Sequence, residues 1–482
     1  MSKERKKEAK TKKQKNCSGW LNKETRHIEK TFSCRLNFNQ SSQMKRLLFE
    51  LKRRKTPYRR TLQQLKKILP TAPPAAKFSR IKKALLRLRF PLLAEKKKLE
   101  ESSIYLNPLP SCPAPVYHPA SFFRPRQIIV EKDAAGSYLE QRFRRKFPSL
   151  KPHYVDYYSQ FLKNYRLRPE NFKEPLVFII KEHWDFIKPC PCTSKHLSCG
   201  YWILNLGLGC PFDCSYCYLQ QYQNFPGLVL PSNVERFCDY FENFFRRLKK
   251  PIRIGTGEFC DSLALDDITL YTQKLVTFFS RYPVFFELKT KSNNIGNLLT
   301  IKPAKNIIIS WTLSPPRICR KEEIAAASLE KRLNAAEAVQ RYGYSVAFHF
   351  DPIIYYPGWE KDYFNAVRNL YRRLKPPFAW ISLGTLRANR RLKTIVERRF
   401  PHSNIFYSEQ ILGEDKKLRY PKFLRVEIYR NMVKWIREHD KRTPLYLCME
   451  DKEVWHKALR KISKTGEIED YLVTKNLKLL KK

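Results

Sequence analysis

Three thiols, Cys210, Cys214 and Cys217, stand at C-x3-C-x2-C spacing in the stretch Asn205-Leu-Gly-Leu-Gly-Cys210-Pro-Phe-Asp-Cys214-Ser-Tyr-Cys217-Tyr-Leu-Gln220. The apolar run Tyr201 to Leu206 just before them reads as a strand, so the cysteines occupy the turn that leaves it. Cysteine thiolates hold iron–sulfur clusters. Three ligands on a four-iron cube leave one iron with an open coordination position, and an open iron can bind a substrate or cofactor. Structural zinc is the other chemistry that short cysteine spacings serve. Zinc needs a fourth close ligand, usually from a second C-x2-C or H-x3–5-H pair, and no such pair follows.

The elements that would position these thiols come next. From Tyr201 onward, strand and helix alternate six times: strands over Tyr201–Leu206, Ile252–Thr256, Val284–Thr290, Asn306–Thr312, Tyr344–Asp351 and Phe378–Gly384. Helices are predicted over Val234–Leu248, Asp267–Arg281, Ile295–Leu299, Leu329–Tyr342, Glu360–Leu374 and Leu386–Arg398. Continuous apolar strands alternating with helices imply a parallel sheet covered by helices. The fold class is therefore α/β, an open (β/α)6 partial barrel over residues 200–460, with active groups at the carboxyl ends of its strands. Residues 111–199 form a proline-rich linker and a small α/β lead-in, with strands at Gln127–Glu131 and Leu176–Ile180 and a helix at Ser137–Phe147. Residues 461–482 read as a basic tail.

The spacing, and the aromatic after the last cysteine in Cys217-Tyr218, resemble the radical S-adenosylmethionine (SAM) superfamily, in which the free iron chelates the methionine end of SAM. The string Cys-Pro-Phe-Asp-Cys-Ser-Tyr-Cys-Tyr-Leu-Gln resembles one branch of it, the spore photoproduct lyase family. The likeness runs from about Gln127 to the segment Pro444–Glu450. It implies a [4Fe–4S] cluster on Cys210, Cys214 and Cys217 and SAM as cofactor. Gly255-Thr-Gly257-Glu258 resembles the family's glycine–glutamate motif, where bare backbone admits the SAM methionine group and a carboxylate accepts from its amine. Lys291, rather than Lys289, is implied for the SAM carboxylate, and Ser310 for its methionine or ribose end; ordinary strand-end polar residues are the alternative. Asp351 and Pro352 fall where the family keeps adenosine-facing backbone, while His349 reads as a packed core histidine. In the family a cysteine shortly after the second strand returns a hydrogen atom to the repaired thymine and flanking tyrosines relay the radical. Cys260, Tyr216 and Tyr218 take those places here, against the plainer readings of a buried thiol and core packing.

Cys190-Pro-Cys192 and Cys199, with His196 between them, invite a second metal site; a packing or capping role for Cys190 stands beside it.

The 482 residues carry 94 Lys+Arg against 45 Asp+Glu, a formal net charge of +49. The first hundred hold 31 Lys+Arg and 7 Asp+Glu, so +24 of that excess lies in a fifth of the chain. Such a concentration suggests a polyanion partner, DNA or RNA, bound through phosphate neutralisation. Residues 1–110 read as a basic extension: a disordered tail over Met1 to Asn16, then amphipathic helices over Met44–Leu69 and Ala76–Leu92, broken by Pro70, Pro73 and Pro74. No run of 18 apolar residues suggests a membrane span, and the lysine-rich start lacks the apolar core of a secretory signal. Thirteen cysteines are too sparse for a disulfide scaffold, and a cluster of this kind needs a reducing compartment, so a cytoplasmic location is expected. The functional expectation is a radical SAM lyase that reverses a thymine lesion in DNA, fed by an electron donor such as ferredoxin or flavodoxin. A radical SAM enzyme modifying RNA or protein, and a zinc-bound nucleic-acid module, are the alternatives.

Overall fold

The computed structural model describes residues 19–68, 73, 76–110, 123–165, 174–183, 186–192, 196–222, 227–460, 462 and 464–480. The expected tail over Met1 to Asn16, most of the proline-rich linker, and Pro70 and Pro74 lie outside them. The chain forms two compact units, one of residues 1–116 with 388–421 and the other of residues 117–387 with 422–482.

In the first unit the leucine periodicity is realised, but in shorter helices than the pattern suggests. Helices span Phe38–Arg53, Tyr58–Ile68, Lys77–Arg89 and Pro91–Glu95, the second and last starting at or beside a proline. Leu47, Leu48, Leu51, Ile81 and Leu85 are buried, together with Leu392, Val396, Phe400 and Phe406 from the later segment. Several of the basic residues are buried too. Glu50 accepts from Arg46 at 2.7 Å, Arg89 at 2.5 Å and Lys393 at 2.7 Å. Arg46 also donates to Glu397 at 2.5 Å.

The second unit contains the strands β1 (Gln127–Glu131), β2 (His153–Val155), β3 (Leu176–Ile180), β4 (Ile187–Pro189), β5 (Tyr201–Leu204), β6 (Gly227–Pro231), β7 (Arg253–Thr256), β8 (Phe285–Thr290), β9 (Ile307–Thr312), β10 (Ser345–Ile353), β11 (Ile381–Thr385) and β12 (Leu445–Leu447). The lead-in is a parallel sheet ordered β2-β1-β3-β6. The main sheet is ordered β12-β11-β10-β9-β8-β7-β5-β4, parallel except for β4, which runs antiparallel to β5. All six expected strands are present in it. The sequence pattern did not announce β2, β4, β6 and β12.

Registers fix what faces the interior. Lys289 pairs with Ser310 and Ser310 with Ala347, so these three share one face across β8, β9 and β10. The helix expected over Asp267–Arg281 is divided at Leu270, which adopts a left-handed conformation (φ 52°) between Asp266–Thr269 and Tyr271–Phe279. The cause is the buried Asp266 carboxylate, which accepts from the Thr272 amide at 3.0 Å and the Thr272 hydroxyl at 2.5 Å and turns the chain there.

Candidate active site

β5 leads directly into the cysteine turn, and contacts with three neighbouring segments hold that turn. Gly207 (φ +101°) passes so close to β6 that a Cβ would lie 2.1 Å from the Val229 carbonyl, which is why glycine stands there. Leu208 then exchanges backbone hydrogen bonds with Val229 at 3.0 and 2.7 Å, tying the turn to the lead-in sheet. Gly209 N–H donates to the Phe259 carbonyl at 2.8 Å and Ser215 N–H to the Glu322 carbonyl at 2.8 Å.

Cys214 is buried; Cys210 and Cys217 are half-buried. Burial pushes all three thiols above their ordinary range, while Lys291 beside Cys214 and Cys217 pulls the other way. Free thiolates would be unstable there. Thiolates bound to an iron centre would have their charge compensated, so the donor set suits a metal cluster. Among the described residues, no three His, Cys, Asp or Glu side chains converge as a single ion requires.

Beneath the turn lies a buried charged group that the sequence reading missed. Arg332, placed by the Ser328-capped helix Leu329–Tyr342, pairs with Glu323 at 2.5 Å. Ser314 donates to the same carboxylate at 2.8 Å, and so does the Tyr216 hydroxyl. Burial alone would raise Glu323, but Arg332 and Lys291 hold it down at about 2. The Lys291 ammonium lies over the Tyr216 ring, 5.8 Å from its centroid.

At the end of β7, Gly255 and Gly257 are required by the neighbouring strand. A Cβ on Gly255 would lie 2.3 Å from the Glu287 carbonyl, and one on Gly257 (φ +91°) 2.6 Å from the Lys289 carbonyl. Glu258 projects beside Lys289 at 3.6 Å and accepts from the Tyr218 hydroxyl at 3.0 Å. Cys260 lies against the entry to the cysteine turn, its Sγ 3.8 Å from the Leu206 carbonyl, and burial next to Asp261 pushes its thiol up to about 12. Asp261, also missed from sequence, ties the two strand ends together: it accepts from the Thr290 hydroxyl at 2.6 Å and the Lys291 amide at 2.7 Å. Ser310 Oγ is fully buried with no hydrogen-bond partner. His349 is buried between Glu287, at 2.7 Å, and Ser382, at 2.9 Å. Asp351 is gripped by Arg387 at 2.9 and 3.1 Å.

The structure thus gathers Glu258, Lys289 and Tyr218 into one group, Lys291 and Tyr216 into a second under the cysteine turn, and sets Cys260 against Leu206 at the entry to that turn. A signal for Asp261 was present in Asp261-Ser-Leu next to the glycine motif. Glu323 and Arg332 lie over 100 residues past the turn and carry no local signal.

The family profile for spore photoproduct lyase matches residues 168–446. The spore photoproduct lyase of Bacillus subtilis is 22% identical over 258 residues, 52% of this chain and 72% of that protein. The one from Clostridium acetobutylicum is 23% identical over 194 residues, 40% of this chain and 56% of its own length, so little more than half of that relative is matched. A spore photoproduct lyase complexed with dinucleoside spore photoproduct superposes with a TM-score of 0.59 at 19% identity, over 67% of this chain and 99% of that one. A mutant of it with bound AdoMet and the same dinucleoside gives the same values. These likenesses establish the open (β/α)6 partial barrel.

Proposed function

The chain belongs to the spore photoproduct lyase family of the radical SAM superfamily, and from that premise we propose that it repairs a thymine photoproduct in DNA. The carrying observation is the C-x3-C-x2-C turn at the carboxyl end of β5, inside the matched residues, with Glu258 and Lys289 at neighbouring strand ends. Cys210, Cys214 and Cys217 would hold a [4Fe–4S] cluster. When bound, that cluster and SAM supply a reductively generated 5′-deoxyadenosyl radical able to remove a hydrogen atom from the lesion.

The chain's own groups bind and orient. Glu258, held by Tyr218 and Lys289, offers a carboxylate to an ammonium. Lys291 offers a cation beside Cys214 and Cys217, and Ser310 a hydroxyl with unused hydrogen-bonding capacity. Gly255 and Gly257 keep the β7 end flat against β8. Cys260 is the proposed hydrogen-atom donor. Tyr216 and Tyr218 are its proposed relays, the first with its hydroxyl on Glu323 and the second with its hydroxyl on Glu258. A lesion in a duplex must be exposed for this chemistry, and the basic first unit is proposed to hold the phosphate backbone through exposed residues such as Arg59, Arg60, Lys66 and Lys67. A small electron-transfer protein is the proposed reductant.

The test is anaerobic reduction of the reconstituted protein with SAM and ultraviolet-irradiated oligonucleotide, with irradiated RNA and bulk protein as parallel arms. Release of 5′-deoxyadenosine with restored thymine is expected in the DNA arm alone. Deoxyadenosine without restored thymine, or coupling to RNA or protein instead, would overturn the DNA assignment.

A further inference from the structure

The end of the main sheet away from the cysteine turn holds a concavity of its own. Lys305 stands just before β9, Ser345 and Val346 open β10, Phe378 and Ala379 lead into β11, and Pro444 leads into β12. These strands are neighbours in the sheet, so four amino ends floor one cavity of about 620 Å³. A volume of that order suits a small molecule. β9 and β11 have six and five residues. At about 3.3 Å per residue, roughly 16–20 Å of sheet lies between this cavity and the carboxyl ends where the cysteine turn sits.

The walls are cationic. Lys305, Lys441, Arg442, Lys475 and Lys478 line the cavity, and among the described residues no Asp or Glu does. Lys305 Nζ donates to the Gly343 carbonyl at 3.2 Å. The other four form no ion pair among the described residues. Like charges gathered without counter-charge repel one another, and a bound polyanion would relieve that.

The two segments that carry these four cations are fastened to the floor. The buried Asp440 carboxylate accepts from the Arg442 and Thr443 amides at 2.9 and 3.0 Å, and Arg437 Nη1 donates to the Asp440 and Thr443 carbonyls at 2.8 and 2.9 Å. That folds the loop on itself and leaves Lys441 and Arg442 exposed at its tip. Thr443 Oγ1 accepts from the Phe378 amide at 2.8 Å, which ties the loop to the approach to β11. On the other side, the basic segment near the end of the chain is a helix over Thr465–Leu480. Its buried Asn476 donates to the Ala379 carbonyl at 2.9 Å, so Lys475 and Lys478 are set over the same floor.

We propose that this cavity binds a small ligand carrying two or more phosphate groups, a nucleoside polyphosphate or an inorganic polyphosphate. Lysine and arginine hold phosphate oxygens through charge-assisted hydrogen bonds. The phosphates would lie between the loop and the helix, over the buried Val346, Phe378 and Ala379. DNA held at the carboxyl ends of the strands leaves this end of the barrel free, so the two ligands do not compete.

The test is calorimetric titration of the full-length chain with tripolyphosphate and, separately, adenosine triphosphate, at about 0.15 M salt, where exposed charges more than about 8 Å apart are largely screened. Saturable binding of one ligand per chain is expected. Lys441→Glu/Lys475→Glu should weaken it about tenfold or more, a loss of about 1.4 kcal/mol. Lys331→Glu/Lys361→Glu makes the same change of charge at exposed helix positions outside the cavity, and should leave the affinity within about twofold. Tighter binding of adenosine triphosphate would mark a nucleotide as the source, and tighter binding of tripolyphosphate an inorganic chain. No saturable binding, or equal weakening in the two variants, would overturn the site. So would displacement of both probes by an undamaged single-stranded oligonucleotide, which would make the cavity part of a DNA track. Arg442→Gln/Lys478→Gln carries the same expectation if the first variant fails to fold.

Discussion

The cysteine turn and the gap between the outer strands of the main sheet are built on opposite plans. Cys210, Cys214 and Cys217 come from one turn, and the cations that support them, Lys291 and Arg332, belong to elements packed beneath it. Between β4 and β12 the sheet is crossed by an isolated bridge from Leu197 to Glu450, two segments far apart in the chain. A contiguous turn can present ligands with one face open, and so suits chemistry. A bridge across a gap joins backbone to backbone, and so suits closure.

The largest expected effect tests that division of labour. Cys214→Ala should reduce 5′-deoxyadenosine release to background, whereas Cys448→Ala should retain release within about a hundredfold of wild type, the range of changes outside the reacting ligands. Equal loss in both variants would end the contrast. Next is the support under the turn. Arg332→Ala removes the ion-pair partner of a buried carboxylate and should cost about 3–5 kcal/mol in denaturant unfolding; a loss under 1 kcal/mol, roughly the value of a surface pair, would mean the turn does not rest on it.

Glu323 also predicts an acid response. Its carboxyl is held below the ordinary 4.5, at about 2. Its stabilisation is therefore complete above about pH 4.5 and is lost as pH falls toward about 2, because protons then bind the unfolded chain first. Stability of Glu323→Gln should fall less steeply across that window than wild type; parallel curves would remove Glu323 from the response. Smaller still are the glycines. Gly257→Ala, in a left-handed conformation against backbone, should cost about 1–3 kcal/mol. Gly200→Ala (φ +68°) meets only the Glu469 side chain, at 2.7 Å, and should cost about 1 kcal/mol or less, since that chain can move. A reversed order would show that the approach to β5 is the more rigid of the two.

The same contrast explains what could be read in advance. The cysteine turn was legible because its ligands fall within eight residues, and the six main strands because apolar runs of that length are distinctive. β4 and β12 were not, being three residues each and stabilised by position at the sheet edges. Glu323 and Arg332 lie more than 100 residues past the turn they support, a separation that exceeds any motif, so only the fold reveals them. In the first unit the leucine pattern disclosed helices, but not that Arg46, Arg89 and Lys393 are buried around Glu50. Composition counts charges without saying which of them water can reach.

The first unit shares its interior with residues 388–421, which the chain supplies only after most of the barrel strands have been made. Amputating the basic leader to ask what it grips would therefore strip the covering from Leu392, Val396 and Phe400 and strand Lys393 without Glu50. The shortened protein would report its own damage. Charge reversal at Arg59, Arg60, Lys66 and Lys67, with the scaffold intact, is the experiment that this interleaved connectivity leaves open.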